Sequence, residues 1–140
     1  MKKLLLILLI PISLNAEVFD LECVSIDPKF NYSETLKIVY EPNYKDVIKD
    51  GKSLIDDYSP SINATQRLQS LTVDNDYIKF QYSFTMRNDQ LGDAHGIHMR
   101  EISRATGLMK IDAYGTGLIY DQLKTEFQPK YKCSKRKNEF

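Results

Sequence analysis

Ile78, Phe80, Tyr82, Phe84 and Met86 alternate with Lys79, Gln81, Ser83 and Thr85 along the stretch YIKFQYSFTM. A period of two puts the apolar groups on one side of an extended chain, whereas a helix would scatter them around its circumference. The pattern predicts a strand over 77–86 with one buried and one wet face. TLKIVY repeats it with Leu36, Ile38 and Tyr40, and VFDLEC with Phe19, Leu21 and Cys23, which sets Cys23 on an inner face. Met109, Ile111 and Ala113 alternate in LMKIDAY, and Phe127, Tyr131 and Cys133 share a face near the end of the chain.

Turn chemistry separates these runs. Asp50-Gly51 suits a tight hairpin, because glycine accepts the positive φ that primed turns require. DND at 74–76 precedes the strong strand, RNDQLGDAHG at 87–96 reads as a longer polar loop, and ATG at 105–107 divides IHMREIS from LMKIDAY. In NATQRLQSL, Asn63 has the character of a helix N-cap with helix formers behind it, which allows one short helix over 63–71. Short strands at roughly regular spacing predict an all-β domain. We expect an antiparallel meander of about seven or eight strands, forming a curled sheet or small barrel.

The first residues, MKKLLLILLIPISLNA, place two lysines before an apolar run and end on a small residue. This is the layout of a cleaved export signal, with an apolar run well short of the ~20 residues needed to cross a bilayer. Residues 1–16 are therefore expected to be a signal peptide and 17–140 a single β domain, periplasmic or secreted. The signal holds two of the nineteen basic residues and no acid, which leaves seventeen basic against nineteen acidic residues. That balance gives no reason to expect nucleic acid as a partner.

Cys23 and Cys133 are the only cysteines. In an oxidising compartment they are expected to form one disulfide, since the close spacing of a redox pair is absent. Closing so long a loop is worth up to ~4.7 kcal/mol on the chain-entropy model.

Candidate chemistry gathers in GDAHGIHMREISR. Asp93, His95 and His98 are metal-binding residue types, but on an extended chain His98 points away from the other two, and the bland reading is of loop histidines. Further on, His98, Arg100 and Arg104 fall on one face with Ile102, and Met99, Glu101 and Ser103 on the other. Neither face is cleanly apolar, which predicts an edge strand or a bulge. A ribonuclease-like hydrolase would use Glu101 as base, His98 as acid and an arginine on phosphate, although acid and base then lie on opposite faces. The basic tail with Lys130, Lys132, Lys135, Arg136 and Lys137 reads as a solvated terminal strand. No nucleotide-binding or nucleophile motif occurs, and no cofactor is expected.

ISRATGLMKI, with Arg104, Thr106 and Gly107 at a turn between two strands and Cys133 and Phe140 near the end, resembles a pattern in small uncharacterised exported bacterial β proteins. It covers the last third of the chain and implies exported β structure without an activity. FDLEC followed by LKIVY is similar in layout to the opening strands of periplasmic lysozyme inhibitors, which are small barrels. The expected role is non-enzymatic binding of a protein partner or of a small apolar ligand. In the second case a cavity would be lined by some of Phe80, Tyr82 and Phe84.

Overall fold

The computed structural model describes residues 16–29, 31–55, 57–61, 63–87, 89, 92–117 and 131–136. Residues 1–15 of the proposed signal, Phe127, Phe140 and Lys130 and Lys137 of the tail lie outside them. Ten strands occur among the described residues: β1 (Glu17–Ser25), β2 (Ser33–Tyr40), β3 (Lys45–Lys49), β4 (Lys52–Ser53), β5 (Asp57–Ser59), β6 (Ala64–Val73), β7 (Tyr77–Met86), β8 (Ala94–Ser103), β9 (Leu108–Thr116) and β10 (Tyr131–Lys135). They form one antiparallel sheet in the order β4-β3-β2-β1-β10-β9-β8-β7-β6-β5. Chain neighbours are sheet neighbours except for β4 and β5, which stand at the two ends of the order, and the first strand pairs with the last, so the sheet is a meander curled into a nearly closed barrel.

The seam lies between the two ends of that order. Leu54 N donates to Val47 O at 2.8 Å, and Leu68 N donates to Leu54 O at 2.6 Å, so one residue between β4 and β5 bridges β3 to β6. The strands exceed the seven or eight expected because β4 and β5 have only two and three residues. No alternation can be read from so few positions.

Each alternating run does what its pattern predicts. Residues 77–86 are β7, with Ile78, Phe80, Tyr82 and Met86 buried. Leu21, Cys23, Leu36, Ile38, Val47, Leu71, Ile102 and Met109 join Phe80 and Tyr82 in one core inside the barrel. Asp50 and Gly51, at φ 49° and 82°, make the β3–β4 turn. The DND turn is held by Asp74, whose Oδ1 accepts from Asp76 N and Tyr77 N at 2.8 and 2.7 Å. Those two backbone bonds hold its carboxyl below the usual carboxylate range.

Three expectations are corrected. Residues 64–73 form strand β6, not a short helix. Its register on β7 shifts between Leu68 and Ser70, a bulge that lets Leu68 and Leu71 both meet the interior although they stand three positions apart. Asn63 is a turn residue at φ 48°. The loop expected over 87–96 is shorter, because Ala94–Gly96 already belong to β8. Finally, β8 is neither an edge strand nor bulged. It pairs without a break with β7 from Ser103 to Ala94 and with β9 from His95 to Ile102.

Cys23 and Cys133 lie directly opposite each other in the β1–β10 ladder, with Cα atoms 4.0 Å apart, and are joined by a disulfide. The bond closes the barrel between its first and last strands.

Candidate functional site

The inward face of β8 carries Ala94, Gly96, His98, Arg100 and Ile102, and with the strand central those polar groups must be satisfied inside the barrel. Arg100 is 7 % exposed and Glu34 on β2 is 2 % exposed. The Arg100 Nη1 donates to Glu34 Oε1, and Nη2 donates to the Tyr82 hydroxyl at 3.1 Å. Burial alone would lower the Arg100 pKa, but Tyr82 and Glu34 together hold it above the ordinary value. Arg100 Nε has no partner.

His98 lies opposite Tyr82 in the β7–β8 ladder, its ring stacked on the tyrosine with centroids 4.9 Å apart and planes 16° from parallel. Burial first, then the neighbouring charges of Arg100 and Lys49, push its pKa down to about 4. Lys49 closes β3 opposite Leu36, and its Nζ stands 6.0 Å from the Tyr82 ring centre. Glu34, Lys49, Tyr82, His98 and Arg100 thus form a polar layer. It separates the main core from a smaller cluster of Ala64, Met86 and Ala94, against which Phe84 and Ala113 pack.

The other residues singled out from the sequence do not join this layer. Glu101 faces outward and pairs with Lys79 at 3.5 Å. Arg104 sits in the β8–β9 turn, where Nη1 donates to Asp74 O at 2.6 Å. Its guanidinium also lies 3.7 Å from Glu17 and over the Phe19 ring at 5.2 Å. His98, Glu101 and Arg104 therefore do not converge. His95 is exposed, with Nδ1 3.1 Å from Thr85 Oγ1, and faces away from His98. Asp93 is exposed ahead of β8. Among the described residues no three His, Cys, Asp or Glu side chains gather as a metal would require.

The Arg-Ala-Thr-Gly turn is a joint between strands. Gly107 N donates to Ser103 O at 2.7 Å, and Gly107 O accepts from Cys133 N at 2.8 Å. A Cβ on Gly107 would stand 2.3 Å from Cys133 O, at a backbone φ of +74°. Only glycine fits both demands. Thr106 Oγ1 accepts from Leu108 N, and Lys132 Nζ donates to Thr106 O. The turn and the late cysteine touch in the fold.

Comparison with protein-family models, with curated proteins and with solved structures finds no match to this chain.

Outside the barrel, β6 to β9 present a polar face whose residues line up across the strands. Lys110, Glu101, Lys79 and Thr72 form one row, and Asp112, Met99, Gln81 and Ser70 the next. These two rows line a groove of about 770 Å³, together with Phe80, Arg100 and Ile111. Its charges are two of each sign, and Met99 is its one exposed large apolar group. This face is the feature that alternation could not reveal, because an outward polar position reads the same whether the sheet is flat or grooved.

Proposed function

We propose that this is an exported, non-enzymatic binding protein that engages a protein partner through the groove on the outer face of β6 to β9. The observation that carries the reading is the groove itself: seven outward polar side chains from four adjacent strands around one exposed methionine. Hydroxyl, amide and paired charged groups around an apolar centre suit a projecting polypeptide segment with hydrogen-bonding groups of both kinds. The disulfide and the signal-like N-terminus are in keeping with export, and the layout likeness to periplasmic inhibitors with a protein-binding role. The apolar-ligand reading has less support, since Phe80 and Tyr82 are already packed in the core. The hydrolase reading needs three residues that lie apart.

The test is site-specific photocrosslinking in the native exported setting, with the reactive residue at Met99 or Gln81 and a control at the exposed Lys37 on β2. A discrete adduct from both groove positions, absent at Lys37 and at least tenfold weaker when Ser70→Arg is added, is the expected result. Equal labelling at Lys37, or an adduct indifferent to Ser70→Arg, would remove the proposal.

A further inference from the structure

We propose that the polypeptide held by the outer groove lies extended across β6 to β9 and carries an acidic and a basic residue side by side, clasped between Lys110 and Asp112. This rests on the reading of the groove as the partner site and names the chemistry of the partner.

The two rows that line the groove are its two sides, one running from Thr72 to Lys110 and the other from Ser70 to Asp112. Phe80, Arg100 and Ile111 fall between them in the register. The long direction of the groove therefore crosses the strands. Three interstrand steps of ~4.8 Å make roughly 14 Å, which about four extended residues span at ~3.3 Å each.

The two sides differ in charge. The first carries two lysines and one glutamate, the second one aspartate and no cation. Glu101 stands opposite both Lys79 and Lys110 in the ladders, but its carboxylate goes to Lys79 at 3.5 Å. Among the described residues, neither Lys110 nor Asp112 joins an ion pair or a side-chain hydrogen bond, and both are exposed. They stand two residues apart on β9, so opposite charges flank that end of the groove. The hydroxyls of Ser70 and Thr72 flank the other end, and Met99 is the exposed apolar group between.

An extended chain turns successive side chains to opposite sides. A segment lying along the groove sends one residue towards Lys110 and the next towards Asp112. Neighbouring acidic and basic residues complement both, whereas two acids or two bases meet a like charge on one side. An apolar residue next to the pair covers Met99, and a small polar one reaches the hydroxyl end.

NMR titration of the oxidised protein with the peptide acetyl-Ser-Leu-Glu-Lys-amide tests this, following the Met99 methyl and the Lys110 and Asp112 amides, with the Lys37 amide as control. Comparison peptides end in Glu-Glu, Lys-Lys or Gln-Gln. At low ionic strength the mixed pair should bind at least about fivefold more tightly than each of the three. Lys37 should not move, and Lys110→Gln and Asp112→Asn should each remove most of the preference. No shift with any peptide, equal binding of all four, or a preference unchanged in both variants would overturn the proposal. Met99 shifts that grow with protein concentration in the absence of peptide would also overturn it, by making the occupant a second copy of this chain. Photocrosslinking separates the two readings. An adduct at Met99 that still depends on Ser70 but ignores Lys110→Gln and Asp112→Asn would keep the groove as the partner site and remove the clasp.

Discussion

Two residues show how a local conflict in the sequence is resolved by the barrel. Gly107 combines a left-handed backbone with a carbonyl where its side chain would be, so Gly107→Ala should cost at least about 2 kcal/mol, well beyond a surface substitution. Chemical denaturation of the oxidised variant reads this directly, and a loss below about 0.5 kcal/mol would mean that the joint with Cys133 is soft. His98 makes a prediction in pH. Its folded pKa is about 4 against 6.5 for the free side chain, so between those values the unfolded chain binds the extra proton. The His98 contribution is therefore complete above pH 6.5, declines as the pH falls towards 4, and is constant below. The span is on the order of 2–3 kcal/mol after allowance for partial solvent access. Replacing His98 by Gln should flatten stability across that window, as followed by denaturant midpoints at pH 4.5 and 7. A wild-type midpoint that does not fall towards pH 4.5, or one that falls as far in His98→Gln, would place the acid sensitivity elsewhere.

At the scale of elements, legibility followed regularity. β7 and the cores of β1 and β2 were readable residue by residue because one side chain in two is apolar and each strand keeps a single register. β6 was not, because Gln69 interrupts the period: Leu68 and Leu71 stand at a helix-like spacing and only the bulge turns both inward. β8 misled in the opposite way. Its mixed faces suggested an edge, yet His98 and Arg100 face inward towards partners on β2, β3 and β7 that are remote in sequence. The alternation of Glu34 with Leu36 and Ile38 held the available clue to the first of these partners. Removing Gln69 tests the bulge, since Leu68 and Ser70 would then follow in the regular register on Tyr82 and Gln81. The β6–β7 ladder should survive while the seam bond from Leu68 N to Leu54 O is lost, at about 1 kcal/mol. Hydrogen exchange should report faster exchange at the Leu68 amide with protection of β7 unchanged. Loss of protection across β7 as well would show that the bulge sets the pairing and not only the closure.

For the whole molecule, the order of the sheet decides what the disulfide does. A meander of ten strands is held by neighbours in sequence everywhere except at two places, the seam at Leu54 and the β1–β10 ladder. The seam consists of short strands and single bridging bonds. The β1–β10 ladder pairs five residues over a chain separation of 110 and carries the cystine at its centre. Its closure is the non-local step, and the entropy of bringing those ends together falls on the unfolded chain once the bond exists. Replacing both cysteines by alanine should therefore lower stability by several kcal/mol, up to ~4.7 on the entropy model, and by more than a shorter loop would lose. The loss should be uneven. β6 to β8 keep local hairpins and a continuous register, so the first amides to gain exchange should be those of β1 and β10, with β7 the last. Uniform loss across all strands would make the barrel one cooperative unit. In that case closure at Cys23–Cys133 would be needed even for the strands that read most clearly from the sequence.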